Sequence, residues 1–171
     1  LASRLAGEIW REHYTGLIGS RQVEYMLENF QSPAAIAAQI AAGTAYFLAV
    51  ADGQPQGYFA IRAELPERRM MISKLYVRRA MRGKGLGRAI LDFVAERARG
   101  QGLATLWLTV NKCNPTLRWY ERQGFRRAAA IVQPIGNDFV MDDYRMELTL
   151  DPGLNCIGEH GTIPSNNEPR P

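Results

Sequence analysis

A chain of 171 residues, 46% hydrophobic and 22% charged, suits one domain with a real core, and excludes a disordered tail or a coiled-coil rod. No window reaches the ~20 consecutive apolar residues of a membrane span, no basic stretch followed by an apolar run opens the chain, and Cys113 and Cys156 are too few for a disulfide scaffold or a thiolate zinc site. The formal charge is +4; residues 151–171 carry −2, which leaves +6 on the body. His13 and His160 lie near opposite ends, so no metal site is expected, and a cytoplasmic location is the default expectation.

In chain order, Arg4 to Tyr14 and Arg21 to Phe30 read as short amphipathic helices, the second with Val23, Met26, Leu27 and Phe30 at helical spacing. Ser32-Pro33 sets a capping residue before a proline at the first helical position, so a third helix runs from Ala34 to Ala42 and stops at Gly43. The period then changes. Tyr46 to Val50 is a strand, Asp52-Gly53 a hairpin turn, Gly57 to Ala63 its antiparallel partner, and Arg68 to Val77 a third strand. The glycine-rich turn Arg82-Gly83-Lys84-Gly85-Leu86-Gly87 opens into a helix with Ile90, Leu91, Val94, Ala95 and Ala98 on one face, ended by Gly100 and Gly102. Thr105 to Val110 is a nearly continuous apolar and β-branched run, hence a buried central strand. Asn114-Pro115 begins a further helix that Gly124 ends. Phe125 to Val132 and Tyr144 to Leu150 are the last strands, joined by a loop around Gly136-Asn137-Asp138.

From Asp151 to Pro171 the composition becomes that of a disordered or surface-draped tail. The expected organisation is one domain over residues 1–150 and a polar tail over 151–171. The expected fold class is α/β, with a mixed, mostly antiparallel sheet flanked by helices.

Between Lys74 and Arg88 six basic residues meet no acid, a cluster that suits a polyanion such as nucleic acid, an anionic membrane or a phosphorylated cofactor. A P-loop needs Ser or Thr after Gly-Lys, and Gly83-Lys84 is followed by Gly85. A dinucleotide fingerprint needs a third glycine at Arg88 or Ile90, and neither register supplies it. What survives is a strand, a basic turn with closely spaced glycines, and a helix that begins at once. Glycines without Cβ let a ligand reach backbone N–H groups, and the helix N-terminus adds its positive end.

That turn, after the strand Leu75-Tyr76-Val77, resembles the Q/R-x-x-G-x-G/A motif of the GNAT N-acetyltransferase superfamily. A second block, Asn114-Pro115 with Trp119-Tyr120-Glu121 and Gly124-Phe125, resembles that family's asparagine, helix, tyrosine and Gly-Phe ending. The likeness covers about Tyr46 to Leu150. The stretch Ile135 to Tyr144 is similar to a bacterial branch related to enzymes acting on small polyamines. Two departures stand out. The family's opening β-strand is missing or truncated, which would leave a sheet edge uncovered. The family's strand glutamate, a general base, has no counterpart in Met70-Met71-Ile72-Ser73-Lys74.

The resemblance implies an acetyltransferase that uses acetyl-CoA as co-substrate, with direct attack by a primary amine of a small molecule or peptide. It implies cofactor contacts from Leu75, Val77, Arg82, Gly83, Lys84, Gly85, Leu86, Gly87, Arg88 and Asn114, and Tyr120 as proton donor to the leaving thiolate. Asn114 has a rival role as cap of the helix after Pro115. No base stands out among Glu28, Glu64, Asp142 and Asp143. Glu24, Glu28, Asp138, Asp142 and Asp143, with the face of Tyr25, would suit an alkylammonium, so Glu28 and Asp142 are the expected substrate residues. Without the strand glutamate, a non-catalytic CoA-binding or regulatory domain is the alternative. Nucleic-acid binding ranks last for want of interleaved aromatics. No membrane partner is expected, and a homodimer is one open option for assembly.

Overall fold

The computed structural model describes residues 1–150; the expected tail at 151–171 lies outside the described residues. Three helices come first: α1 (Ala2–Ile18), α2 (Ser20–Phe30) and α3 (Pro33–Ala41). Gly19, at φ +81°, breaks α1 from α2, and the Ser32 hydroxyl accepts the Ala35 N–H to cap α3. Strands β1 (Ala45–Ala51), β2 (Gln54–Glu64) and β3 (Arg69–Val77) form the expected meander. Then come α4 (Leu86–Gly100), β4 (Thr105–Asn111), α5 (Leu117–Arg122), β5 (Arg126–Gly136) and β6 (Phe139–Thr149).

The sheet order is β1-β2-β3-β4-β6-β5. Only β3 and β4 run parallel, joined by the right length of crossover through α4, so the sheet is mixed and mostly antiparallel, as expected. β1 is an edge strand with no strand on its outer side among the described residues.

Two sequence expectations need correction. The last strands are longer than their periodicity implied: Val132 pairs with Asp142, Gln133 with Met141 and Pro134 with Val140. Pro134 fits within the strand because β5 is an edge strand, where a missing N–H is tolerated. The loop shrinks to Asn137-Asp138, both at positive φ, a two-residue hairpin turn. The helix after Asn114-Pro115 begins only at Leu117.

Each face of the sheet has its own core. Ile90, Leu91, Val94, Ala95 and Ala98 of α4 pack with Met70, Ile72, Leu106, Leu108 and Met146 on one face. On the other, Leu5, Ile9 and Trp10 of α1 and Val23, Met26 and Leu27 of α2 pack around Tyr58. A β-bulge links the two. The β2–β3 register slips between Ala60 and Ile61, leaving Ser73 unpaired. Met70 and Ile72 therefore face α4, whereas Tyr76 faces α1 and α2.

Candidate active site

β3 and β4 pair only from Arg69–Thr105 to Met71–Trp107. Beyond that β3 stays with β2 and β4 with β6, and the gap is a cleft of about 1180 Å³. Its wall includes Leu75 and Val77. The Arg78 N–H donates to Gln56 O on the β2 side. Alternation along the strand then turns the backbone groups of Leu75 and Val77 toward the gap. Both residues thus present backbone to the cleft.

The glycine turn closes one end. Gly83 (φ +75°) and Gly85 (φ +84°) adopt left-handed backbone that a side chain would strain, and the space beside each is open. Gly85 caps α4 without a side-chain partner, so the first N–H groups of the helix are free to meet an anion. Gly87 is small for another reason: a Cβ there would lie 3.1 Å from the Trp119 ring. Gly83, Gly85, Gly87, Arg82 and Arg88 line the cleft. Lys84 is exposed and outside the wall, and Leu86 packs into the α4 core. Arg88 is braced by Asp92 (2.9 Å) and Gln123 (3.2 Å).

Opposite the turn, α5 and α1 bring two phenols together. Tyr120 is buried against Trp119 and Phe125, and burial, with Tyr14 nearby, lifts its pKa well above the ordinary tyrosine value. Burial pushes Tyr14 up to about 12. Asn114, just before α5, bonds across to α1. Its Oδ1 accepts from Thr116 N (3.0 Å) and Thr116 Oγ1 (2.8 Å), and its Nδ2 donates to the Tyr14 hydroxyl (3.3 Å). Asn114 therefore does not cap the helix as the rival reading had it: α5 begins at Leu117 with Thr116 at its N-cap and no side-chain cap, and Asn114 instead braces the turn before it. His13 joins this network, a residue the sequence singled out only to discount as a metal ligand. Arg82 can only donate, so the 3.2 Å contact makes His13 Nδ1 the acceptor and leaves Nε2–H to donate to Asn114 Oδ1 at 3.3 Å. Burial, foremost, holds the His13 pKa below its ordinary value.

The acidic residues separate sharply. Glu28 lies on a shallow outer groove between α1 and α2, and Glu24 pairs with Arg11 at 2.6 Å on that outer side. Asp142 pairs with Lys112, half-exposed, and is not part of the cleft wall. Neither expected substrate residue reaches the cleft, because the helix face and the strand pleat send both outward. Glu64 is not a wall residue either. Burial alone would raise its pKa, but hydrogen bonds from Arg69 (2.5 Å), Arg62 (3.1 Å) and Trp107 (3.0 Å) hold it below the ordinary value. Asp143 does line the cleft, only 4% exposed, and burial with Asp142 nearby raises its pKa to about 6 against the Thr109 hydrogen bond and Lys112. Lys74 lines it too, 8% exposed, with burial lowering its pKa to about 8. Among the described residues no three metal-binding side chains gather, and no helix is long and apolar enough to cross a membrane.

A parallel pair that separates beside a glycine-capped helix start leaves an open cleft with an anion-binding end. Residues 7–125 match the acetyltransferase (GNAT) family, and the chain belongs to it. Streptothricin acetyltransferase of Streptomyces lavendulae is 38% identical over 81 residues, 46% of this chain and 43% of that protein. An L-methionine sulfoximine/L-methionine sulfone acetyltransferase of Pseudomonas aeruginosa is 37% identical over 81 residues, 46% of each chain. The chain thus spans less than half the length of these relatives. A PaiA N-acetyltransferase from Thermoplasma acidophilum, solved with coenzyme A, superposes with a TM-score of 0.71 at 18% identity, covering 86% of this chain and 89% of that one, which shows the shared fold.

Proposed function

We propose that the chain moves the acetyl group of acetyl-CoA to a primary amine by direct attack within a ternary complex. The observation that carries this is the co-location, in one cleft, of a free helix start at Gly85, a backbone edge at Leu75 and Val77, and an ionisable acid at Asp143. The glycine turn, with Arg82 and Arg88, holds the pyrophosphate at the N-terminus of α4. A backbone N–H of Leu75 or Val77 donates to the thioester oxygen as it gains charge.

The bonds balance without a covalent enzyme intermediate. The amine nitrogen bonds to the acetyl carbon, the carbon–sulfur bond breaks, Asp143 takes the amine proton, and Tyr120 returns one to the thiolate. Asp143 is the base of this reading because its carboxylate faces the cleft and loses its proton at about pH 6. His13 is not, since both of its ring nitrogens are engaged.

The finer expectation of a polyamine acceptor keeps little support, since Glu24, Glu28, Asp138 and Asp142 lie outside the cleft wall and Asp143 alone of the five remains. An acetyl-CoA screen against diverse primary amines, followed by free thiol release, tests the function. Thiol release with at least one amine supports it. Binding of acetyl-CoA with no release to any amine favours the non-catalytic domain.

A further inference from the structure

Lys74 has no part in acetyl transfer as described, yet the fold goes to some length to place it. Before the bulge, even-numbered residues of β3 point to the α4 core; after it, Lys74 and Tyr76 point to the other face. Without the slip, Lys74 would be driven among Met70, Ile72 and Val94. With it, the ammonium lies in the cleft wall between β1 and α3.

The surroundings are neutral. Lys74 Nζ donates to Gln39 Oε1 at 2.7 Å and stands 5.5 Å from the Tyr46 ring centre. Gln39 cannot do more: its Nε2 is held by Phe30 O at 3.1 Å, and its Oε1 also accepts the Tyr46 hydroxyl at 2.8 Å. An ammonium has three N–H donors, so two remain for the cleft. No carboxylate pairs with Lys74 among the described residues. A buried ammonium without a counter-charge is costly, and such groups are ordinarily paired.

The cofactor is not the source of that counter-charge. Lys74 lies three residues back from Val77 along β3, about 10 Å before the strand ends. The turn that faces phosphate comes after that end. What remains is the acceptor half of the cleft.

We propose that Lys74 anchors an anionic group of the acyl acceptor, so that the acceptor is a small molecule carrying both an amine and a carboxylate or comparable anion. The proposal rests on the acetyl-transfer reading and names its substrate class. The anion takes the two spare N–H donors and neutralises the buried charge. Its amine is left to reach the thioester.

Three matched series test it on the full chain: carboxylates from propionate to caproate, amino acids from β-alanine to ε-aminocaproate, and amines from ethylamine to pentylamine. With CoA present, the fitting carboxylate raises the melting temperature of the wild type, keeps part of that effect in Lys74→Arg, and loses it in Lys74→Met. CoA protection of Lys74→Met confirms that the variant is folded. The fitting amino acid is acetylated with a kcat/KM about tenfold or more above its matched amine, and Lys74→Met brings the two within about twofold. Equal carboxylate protection of wild type and Lys74→Met overturns the proposal, as does protection of neither, or a faster reaction with putrescine or the plain amines than with every amino acid. Lys74-dependent protection without thiol release from any amine upholds the anion site and refutes acetyl transfer.

Discussion

Asp142 and Asp143 are adjacent, yet the pleat of β6 sends one to Lys112 at the surface and the other into the cleft beside Thr109. The buried one is held at a cost. Its native pKa, raised from 3.8 to about 6, means that the folded state binds the proton more tightly than the unfolded chain. Stability therefore falls as pH rises through that window, by roughly 3 kcal/mol in all, and stays lower at neutral pH. Asp143→Asn should melt higher than the wild type at neutral pH and lose about 100-fold in kcat. The wild-type rate should rise through about pH 6 and then level, with Lys112, Asp142, Tyr14 and Tyr76 as the ionisable neighbours that tune it. A variant that is less stable and equally fast would remove Asp143 from the mechanism. Tyr120→Phe keeps the ring against Trp119 and Phe125 and loses only the hydroxyl. Melting should change little, and kcat should drop by about 100-fold at a similar KM for acetyl-CoA. Steady-state kinetics with chemistry shown to be rate-limiting will decide it.

The turn and α4 work as one element, since the helix start is useful only if nothing covers it. Gly85 provides this through left-handed backbone and open space. Gly85→Asp adds strain of about 1 kcal/mol and a negative charge where phosphate would sit. The variant should fold and show no rise in melting temperature with acetyl-CoA, in a titration that protects the wild type. A protected variant would show that phosphate binds elsewhere. A second element pair, α2 and the β5–β6 hairpin, is locked together. The Tyr25 hydroxyl of α2 donates to Ile135 O at 2.6 Å, Gln22 Nε2 donates to Val140 O at 2.9 Å, and a Cβ on Gly136 would lie 2.4 Å from the Tyr25 hydroxyl oxygen. The tip of the β5–β6 hairpin is thereby clamped under α2. Tyr25→Phe should cost about 1 kcal/mol of stability and raise acceptor KM, with acetyl-CoA affinity unchanged. Paired thermal and kinetic measurements distinguish this from a general loosening, which would weaken both substrates.

At the scale of the whole molecule, the site exists because two β-pairings disagree about direction. β3 follows β2, β4 follows β6, and the three shared rungs at Arg69 to Met71 hold the base of the opening. A core on each face keeps that opening from collapsing: α4 and α5 support one side, α1 and α2 the other. The excess of six positive charges on residues 1–150 gives the surface a field that attracts an anionic cofactor. Acetyl-CoA affinity should therefore fall as salt rises, whereas the KM of a net-neutral acceptor should respond less. Equal salt dependence for both would place the field's effect elsewhere.

The sequence by itself determined the elements and the glycine turn. α4's apolar face, the Asp52-Gly53 hairpin and the left-handed glycines are local matters of period and backbone sterics, readable in a few residues. The walls of the cleft at Leu75, Val77 and Tyr120 were legible through the two spaced motifs. Which acid and which cation face inward was decided only by tertiary structure. Asp143 rather than Asp142 depends on strand pleat and on pairing with β4, both invisible in composition. Glu28 was misplaced because an amphipathic pattern shows that a helix has an outer face without showing what lies beneath the inner one. Lys74 escaped notice as a site residue because it lay in a basic cluster. Its cleft-facing position comes from one unpaired residue in β3, and the price of its burial is visible only once Gln39 and Tyr46, from α3 and β1, are seen to surround it without a counter-charge.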